Sequence, residues 1–107
     1  SDYWGTSIKE LLTKTNFENN NQINLAICGI GKGNVKYYLK KLNIRNVKIV
    51  SFDENYDYII MTNRVFWNSK VKNLKDLNTC FDQFSGNTIS AVKRRGLTLS
   101  LIRSNII

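Results

Sequence analysis

Apolar positions recur along the chain with two periods, and the switches between them predict its elements. Ile8, Leu11, Leu12 and Thr15 fall at the i, i+3, i+4, i+7 spacing of one helical face. Ser7 and Glu10 have the spacing of a capping box, which predicts that this helix starts at Ser7. The polar stretch 16–22 ends it. "INLAICGI", residues 23–30, is almost continuously apolar, as expected of a central parallel strand buried on both faces. Val35, Tyr38, Leu39 and Leu42 then share one face of a second helix, while Lys36, Lys40 and Lys41 lie mainly elsewhere. Asn34 is its expected cap, and the two closing lysines suit the helix dipole. "VKIVSF" (47–52) and "YDYIIMTN" (56–63) read as two more strands.

Residues 64–86 carry weaker signals: a helical turn or two within "NLKDLNTCF" and a turn at "FSGN". "TISAVKRR" and "LTLSLIRS" meet at Arg95-Gly96 as a hairpin whose glycine supplies a positive φ. Together these elements predict an α/β fold: a small, mostly parallel sheet with flanking helices, a Rossmann-like βαβ core with a right-handed crossover, and a C-terminal antiparallel hairpin. At 107 residues, without repeat or linker, the chain is expected to be a single α/β domain spanning 1–107.

Charge and cysteine content narrow the chemistry. Sixteen Lys and Arg against eight Asp and Glu give a net charge of +8, which attracts anionic membrane surfaces or nucleic acid. The basic residues are scattered, however, with Lys40-Lys41 and Lys93-Arg94-Arg95 the only adjacent groups, so the pattern speaks against a nucleic-acid module. The plain reading is a solvated basic surface. No apolar run reaches the length needed to cross a bilayer. With two cysteines and no histidine, a Cys/His zinc site is not expected. Cys28 and Cys80 read as partly buried free thiols, with a disulfide as the alternative that an oxidising compartment would favour.

"AICGIGKGNV" is the one stretch with a nucleotide-site pattern. Strand, Gly29-x-Gly31-x-Gly33, helix, second strand and then Asp53 is the order of dinucleotide and S-adenosylmethionine sites. Gly29, Gly31, Lys32, Gly33, Asn34 and Asp53 are accordingly the candidate ligand-binding residues, through backbone N–H groups, a lysine and a ribose-binding acid. The glycine spacing is not the dinucleotide G-x-G-x-x-G, and no Walker sequence is present. A simple strand-to-helix turn is therefore the competing reading. No catalytic constellation is visible, and neither a cofactor nor a metal is implied.

The ends of the chain carry a resemblance. "DYWGTSIKELL" resembles the "DYWG-x-S-x-KE" segment after the last transmembrane helix of a group of bacterial multi-spanning glycosyltransferases related to dolichyl-phosphate-mannose protein mannosyltransferases. "YDYIIMTNR" is similar to the strand and "TNxR" segment of that group's C-terminal region, and "NTISAVKRRGLTLSLIR" to its closing hairpin. The resemblance implies a soluble accessory domain cut from a longer membrane protein, on the extracytoplasmic (periplasmic) face of a bacterial inner membrane. Its parent would transfer a sugar from a polyprenyl-phosphate donor. Expected partners are the transmembrane part of the parent chain, anionic lipid headgroups and the polyprenyl-phosphate-linked sugar. The catalytic carboxylate of such enzymes lies near their first transmembrane helices, so no residue here inherits it. Tyr3 and Trp4 would then be membrane-proximal aromatics, or else cover the sheet or first helix, with Gly5 as the turn and Ser7 as the cap. The alternative function is a small nucleotide or S-adenosylmethionine binding module using the Gly29–Gly33 loop.

Overall fold

A computed structural model of the chain describes residues 3–17, 21–66 and 78–105. The elements are α1 (Tyr3–Lys14), β1 (Ile23–Cys28), α2 (Lys32–Lys41), β2 (Val47–Val50), β3 (Tyr58–Thr62), β4 (Val65–Phe66), β5 (Asn78–Thr79), α3 (Cys80–Gln83), β6 (Asn87–Arg94) and β7 (Leu97–Ser104). Five strands form one sheet in the order β2-β1-β3-β7-β6, and β4 pairs with β5 separately.

The expectation of a mostly parallel, Rossmann-like sheet is overturned. The sheet is mixed and largely antiparallel: β1 runs parallel to β2 and β3, but β7 runs antiparallel to both β3 and β6. The parallel part is confined to β2, β1 and β3, and the helix-free connection 51–57 passes β1 to join the outer two. The hairpin, instead of standing apart at one end, joins the sheet by laying β7 along the whole of β3, from Tyr58–Ser104 to Thr62–Ser100. Its eight-residue strands then outweigh the four residues of β2. The hairpin turn is as expected, with Gly96 at φ 80° and Arg95 also at a positive φ, 53°.

Alternation along the strands divides the core between the two faces. Leu25, Ile60, Val92 and Ile102 face α1 and α2, which supply Ile8, Leu11, Leu12, Val35 and Leu39. Ala26, Cys28, Ile59, Met61 and Leu101 face the other way, toward Cys80 and Phe81 of α3, Phe84 after it, and Tyr56 of the 51–57 connection. Burying a side chain such as Leu25 or Ile60, both fully covered, is worth about 1.5–3 kcal/mol. Arg103 ties α3 to the sheet by donating from its guanidinium to the carbonyls of Phe81 and Phe84.

Both expected helix starts are corrected. Helix α1 begins at Tyr3, so Gly5 and Ser7 lie within it. Ser7 is buried, and its hydroxyl bonds that of Ser100 on β7 at 2.8 Å. Glu10 reaches outward to Arg94 at 2.7 Å, and the guanidinium holds its carboxyl below the usual range. A capping-box pair is one helical turn apart, so it keeps the same spacing inside a helix as at its start. Helix α2 is capped by Gly31, in extended conformation and without a side-chain bond, whereas Asn34 sits in the first turn. The helical turn expected in "NLKDLNTCF" is found at its end: Thr79 caps α3 in a reciprocal box with Asp82. Residues 67–77 lie outside the described part.

Cys28 and Cys80 are joined, with 5.9 Å between their Cα atoms, which overturns the expectation of free thiols. The bond links the end of β1 to the start of α3 across 52 positions of sequence. A loop of that length constrains the unfolded chain by about 4 kcal/mol in the chain-entropy model. Cys28→Ala/Cys80→Ala is therefore expected to lower the urea-unfolding free energy by about 4 kcal/mol. Alkylation of the denatured, unreduced protein should label neither cysteine, and labelling of both would refute the pairing.

Candidate functional site

The glycine loop leaves β1 at its C-terminal end and enters α2, and its members have unequal roles. Gly29 has φ +83°, and a Cβ there would stand 2.4 Å from Thr62 Oγ1 and 3.0 Å from Cys80 Sγ. Its carbonyl accepts a 2.7 Å bond from the Thr62 hydroxyl. Gly29 is thus the point where chain direction, the end of β3 and the disulfide meet. Gly31 has an ordinary φ of −70°, and a Cβ on Gly33 would meet nothing within 4 Å. The Gly31 carbonyl accepts from the amide of Val35 (3.4 Å), as any helix N-cap does, and also from that of Asn34 (3.1 Å), one of the first-turn donors an anion would use.

Lys32, Gly33 and Asn34 are exposed in the first turn of α2. Lys32 lines an open cleft of about 360 Å³ at the C-terminal ends of β1 and β2, floored by Ile27, Ile49 and Val50. Ser51, Phe52 and Glu54 close its far side. Asp53 is exposed in the same loop and does not line the cleft, while Glu54, absent from the sequence reading, does. Ser51 and Glu54 build the loop: the Ser51 amide donates to Glu54 Oε1 at 3.1 Å, and the Asp53 amide to Ser51 Oγ at 3.2 Å. The S-x-x-E spacing at 51–54 was the available signal.

A second groove of about 450 Å³ continues from the cleft between α2 and the edge strand β2, sharing Lys32 and Ile49 with it. Leu39, Ile44 and Val47 form its apolar wall, and Lys36, Lys40 and Lys48 stand with Lys32 along its rim. Among the described residues no carboxylate lines it. The i, i+4, i+8 spacing of Lys32, Lys36 and Lys40 carried this row in the sequence, where those side chains pass for ordinary solvated lysines.

Other candidates are placed as follows. Tyr3 and Trp4 belong to the first turn of α1, and their side chains lie outside the described part. Tyr56 packs against the α3 face, and burial raises its phenol pKa. Among the described residues no three His, Cys, Asp or Glu side chains converge as a metal site, and no helix is long and apolar enough to cross a membrane. Compared with protein-family models, curated proteins and solved structures, the chain matches none.

The loop geometry separates two neighbouring glycines experimentally. Gly29→Ala is expected to cost about 1–3 kcal/mol, from its left-handed backbone and the clash at Thr62. Gly33→Ala, in open space within a helix, should stabilise by up to ~1 kcal/mol. Urea unfolding of both variants checks this, and a Gly29→Ala protein as stable as the parent would refute the assignment.

Proposed function

We propose that the chain is a soluble, non-catalytic accessory domain of a polyprenyl-phosphate-sugar-dependent membrane glycosyltransferase. It would stand on the extracytoplasmic face of a bacterial inner membrane, joined to the transmembrane part of its parent chain. The supporting observation is that the three segments carrying the resemblance, scattered in sequence, are neighbours in space. The "DYWGTSIKELL" helix packs on the "NTISAVKRRGLTLSLIR" hairpin through Ser7–Ser100 and Glu10–Arg94. That hairpin's β7 pairs with the "YDYIIMTNR" strand, and the Asn63 amide beyond it donates to the Leu99 carbonyl at 3.0 Å. Shared motifs that form one packed unit behave as the frame of a domain, since each constrains the side chains the others can carry.

The cysteine chemistry agrees with the location. A buried disulfide between the only two cysteines suits an oxidising compartment and is uncommon in a reducing cytoplasm. The role is one of positioning: the domain would hold lipid headgroups or acceptor near an active site built elsewhere in the parent chain. The decisive test is the reading frame upstream of Ser1. It is expected to encode a series of apolar segments of roughly 20 residues each, and a soluble enzyme in their place would overturn the proposal.

A further inference from the structure

Among the described residues, the row of lysines on α2 has no acidic partner. Lys32, Lys36 and Lys40 stand one above another at i, i+4 spacing, an arrangement that destabilises a helix by like-charge repulsion. Helix α2, "KGNVKYYLKK", contains no acidic residue to offset it. Lys48, on the adjacent edge strand, adds a further positive charge to the same groove. The nearest carboxylate among the lining groups is Glu54 of the neighbouring cleft, which already accepts the Ser51 amide.

Aromatic side chains accompany this charge. Tyr37 lies two positions from each of the buried Val35 and Leu39, hence on the opposite side of the helix, and is 57% exposed. Lys41 stands over its ring at 5.6 Å from the centroid. Phe52, at the mouth of the cleft that Lys32 shares, is engaged instead with Phe84, their ring centroids 5.2 Å apart. A short helix with lysines around an exposed tyrosine, and an apolar groove alongside, is built to rest on an interface that is anionic outside and apolar beneath.

We propose that the outer face of α2 and the α2–β2 groove form a docking surface for an anionic bilayer. Lys32, Lys36, Lys40, Lys41 and Lys48 contact the headgroup phosphates, and Tyr37 enters the headgroup layer. This deepens the accessory-domain reading and rests on it for the presence of a bilayer. The site itself lies on α2 and β2, outside the segments that carry the family resemblance, and the glycine loop takes part only through Lys32.

The test is co-sedimentation of the 107-residue chain with vesicles of phosphatidylcholine alone or mixed with phosphatidylglycerol. Binding is expected only to the mixed vesicles, and it should weaken with added salt. Replacing Lys36→Glu/Lys40→Glu, both exposed, should weaken it on the order of twentyfold or more, taking each basic residue near the surface as worth about fivefold. Lys9→Glu/Lys93→Glu has the same net charge, with one change on α1 and one on the opposite edge strand, and should retain most of the affinity. Tyr37→Ala should weaken binding at unchanged charge, and urea midpoints near the parent value show that all these variants fold.

Three results would overturn the proposal. They are no binding to the mixed vesicles, equal losses in the two double variants, or tighter binding to duplex DNA with the same lysine dependence. Failure here is distinguishable from failure of the accessory-domain reading: vesicle binding is measured on this chain alone, whereas that reading stands or falls on the upstream sequence.

Discussion

Strand β3 is the constraint around which the domain is arranged. Ile59, Ile60, Met61 and Thr62 are fully buried, so this segment must find hydrogen-bond partners on both edges and apolar cover on both faces. One edge is met by β1, running parallel, and the other by β7, running antiparallel. Because the two neighbours differ in direction, the sheet has to be mixed. Cover on the two faces is equally divided in origin: α1 and α2 on one side, and on the other α3 with the 51–57 connection, fastened by Cys28–Cys80 and Arg103.

Much of this frame was legible in the chain, because burial leaves a periodic mark. The strands at 23–28, 47–50 and 58–62, the helical face of Ile8, Leu11 and Leu12, and the turn at Arg95-Gly96 were each visible in local pattern. What local pattern does not encode is which strand lies beside which. "YIIMT" is equally apolar whether its second neighbour is parallel or antiparallel, and that choice depends on a hairpin some forty residues away, a long-range pairing that local periodicity does not report. The S-x-x-E at Ser7–Glu10 misled for a related reason: one turn of helix has the same spacing at its start and in its interior, and only the contact with Ser100 separates the two.

The glycine loop shows how a motif's residues separate once they are placed in space. Three glycines at alternate positions resemble one device, yet Gly29 alone needs the missing Cβ, and it needs it for Thr62 and the disulfide sulfur. The disulfide was hidden in turn, since Cys28 and Cys80 are brought within reach only when α3 folds back over the end of β1. Gly29 and Cys80 are thus two halves of one arrangement. A side chain at position 29 would push against the cross-link that fastens the second face of the sheet. Lys36, Lys40, Lys48 and Glu54 do not stand out as site residues in the sequence, because the same helical spacing and the same S-x-x-E also suit solvated lysines and a plain turn until the groove they line is formed.

Viewed along the sheet, the domain divides into two parts with different physical characters. Toward the β6 edge, polar groups are matched: Ser7 with Ser100, Thr15 with Ser90, Glu10 with Arg94, and Lys14 with the Ala91 carbonyl. The exposed strand there is also irregular, with register shifts between Thr88 and Ser90 and between Val92 and Lys93, which blunt an edge against further pairing. Toward the β2 edge the pattern reverses. Helix α2 meets β2 across an open groove rather than a filled one, and its outward lysines face one another's charge without an acid among them. The first part is self-sufficient. In the second, like charges lie beside the exposed ring of Tyr37, an arrangement that costs the isolated helix stability. A basic charge of +8 spread evenly over the chain would be a solubility feature. Helix α2 gathers four of the lysines without an acid among them, beside an apolar groove at the edge remote from the packed hairpin, and this sets that edge apart from the matched one.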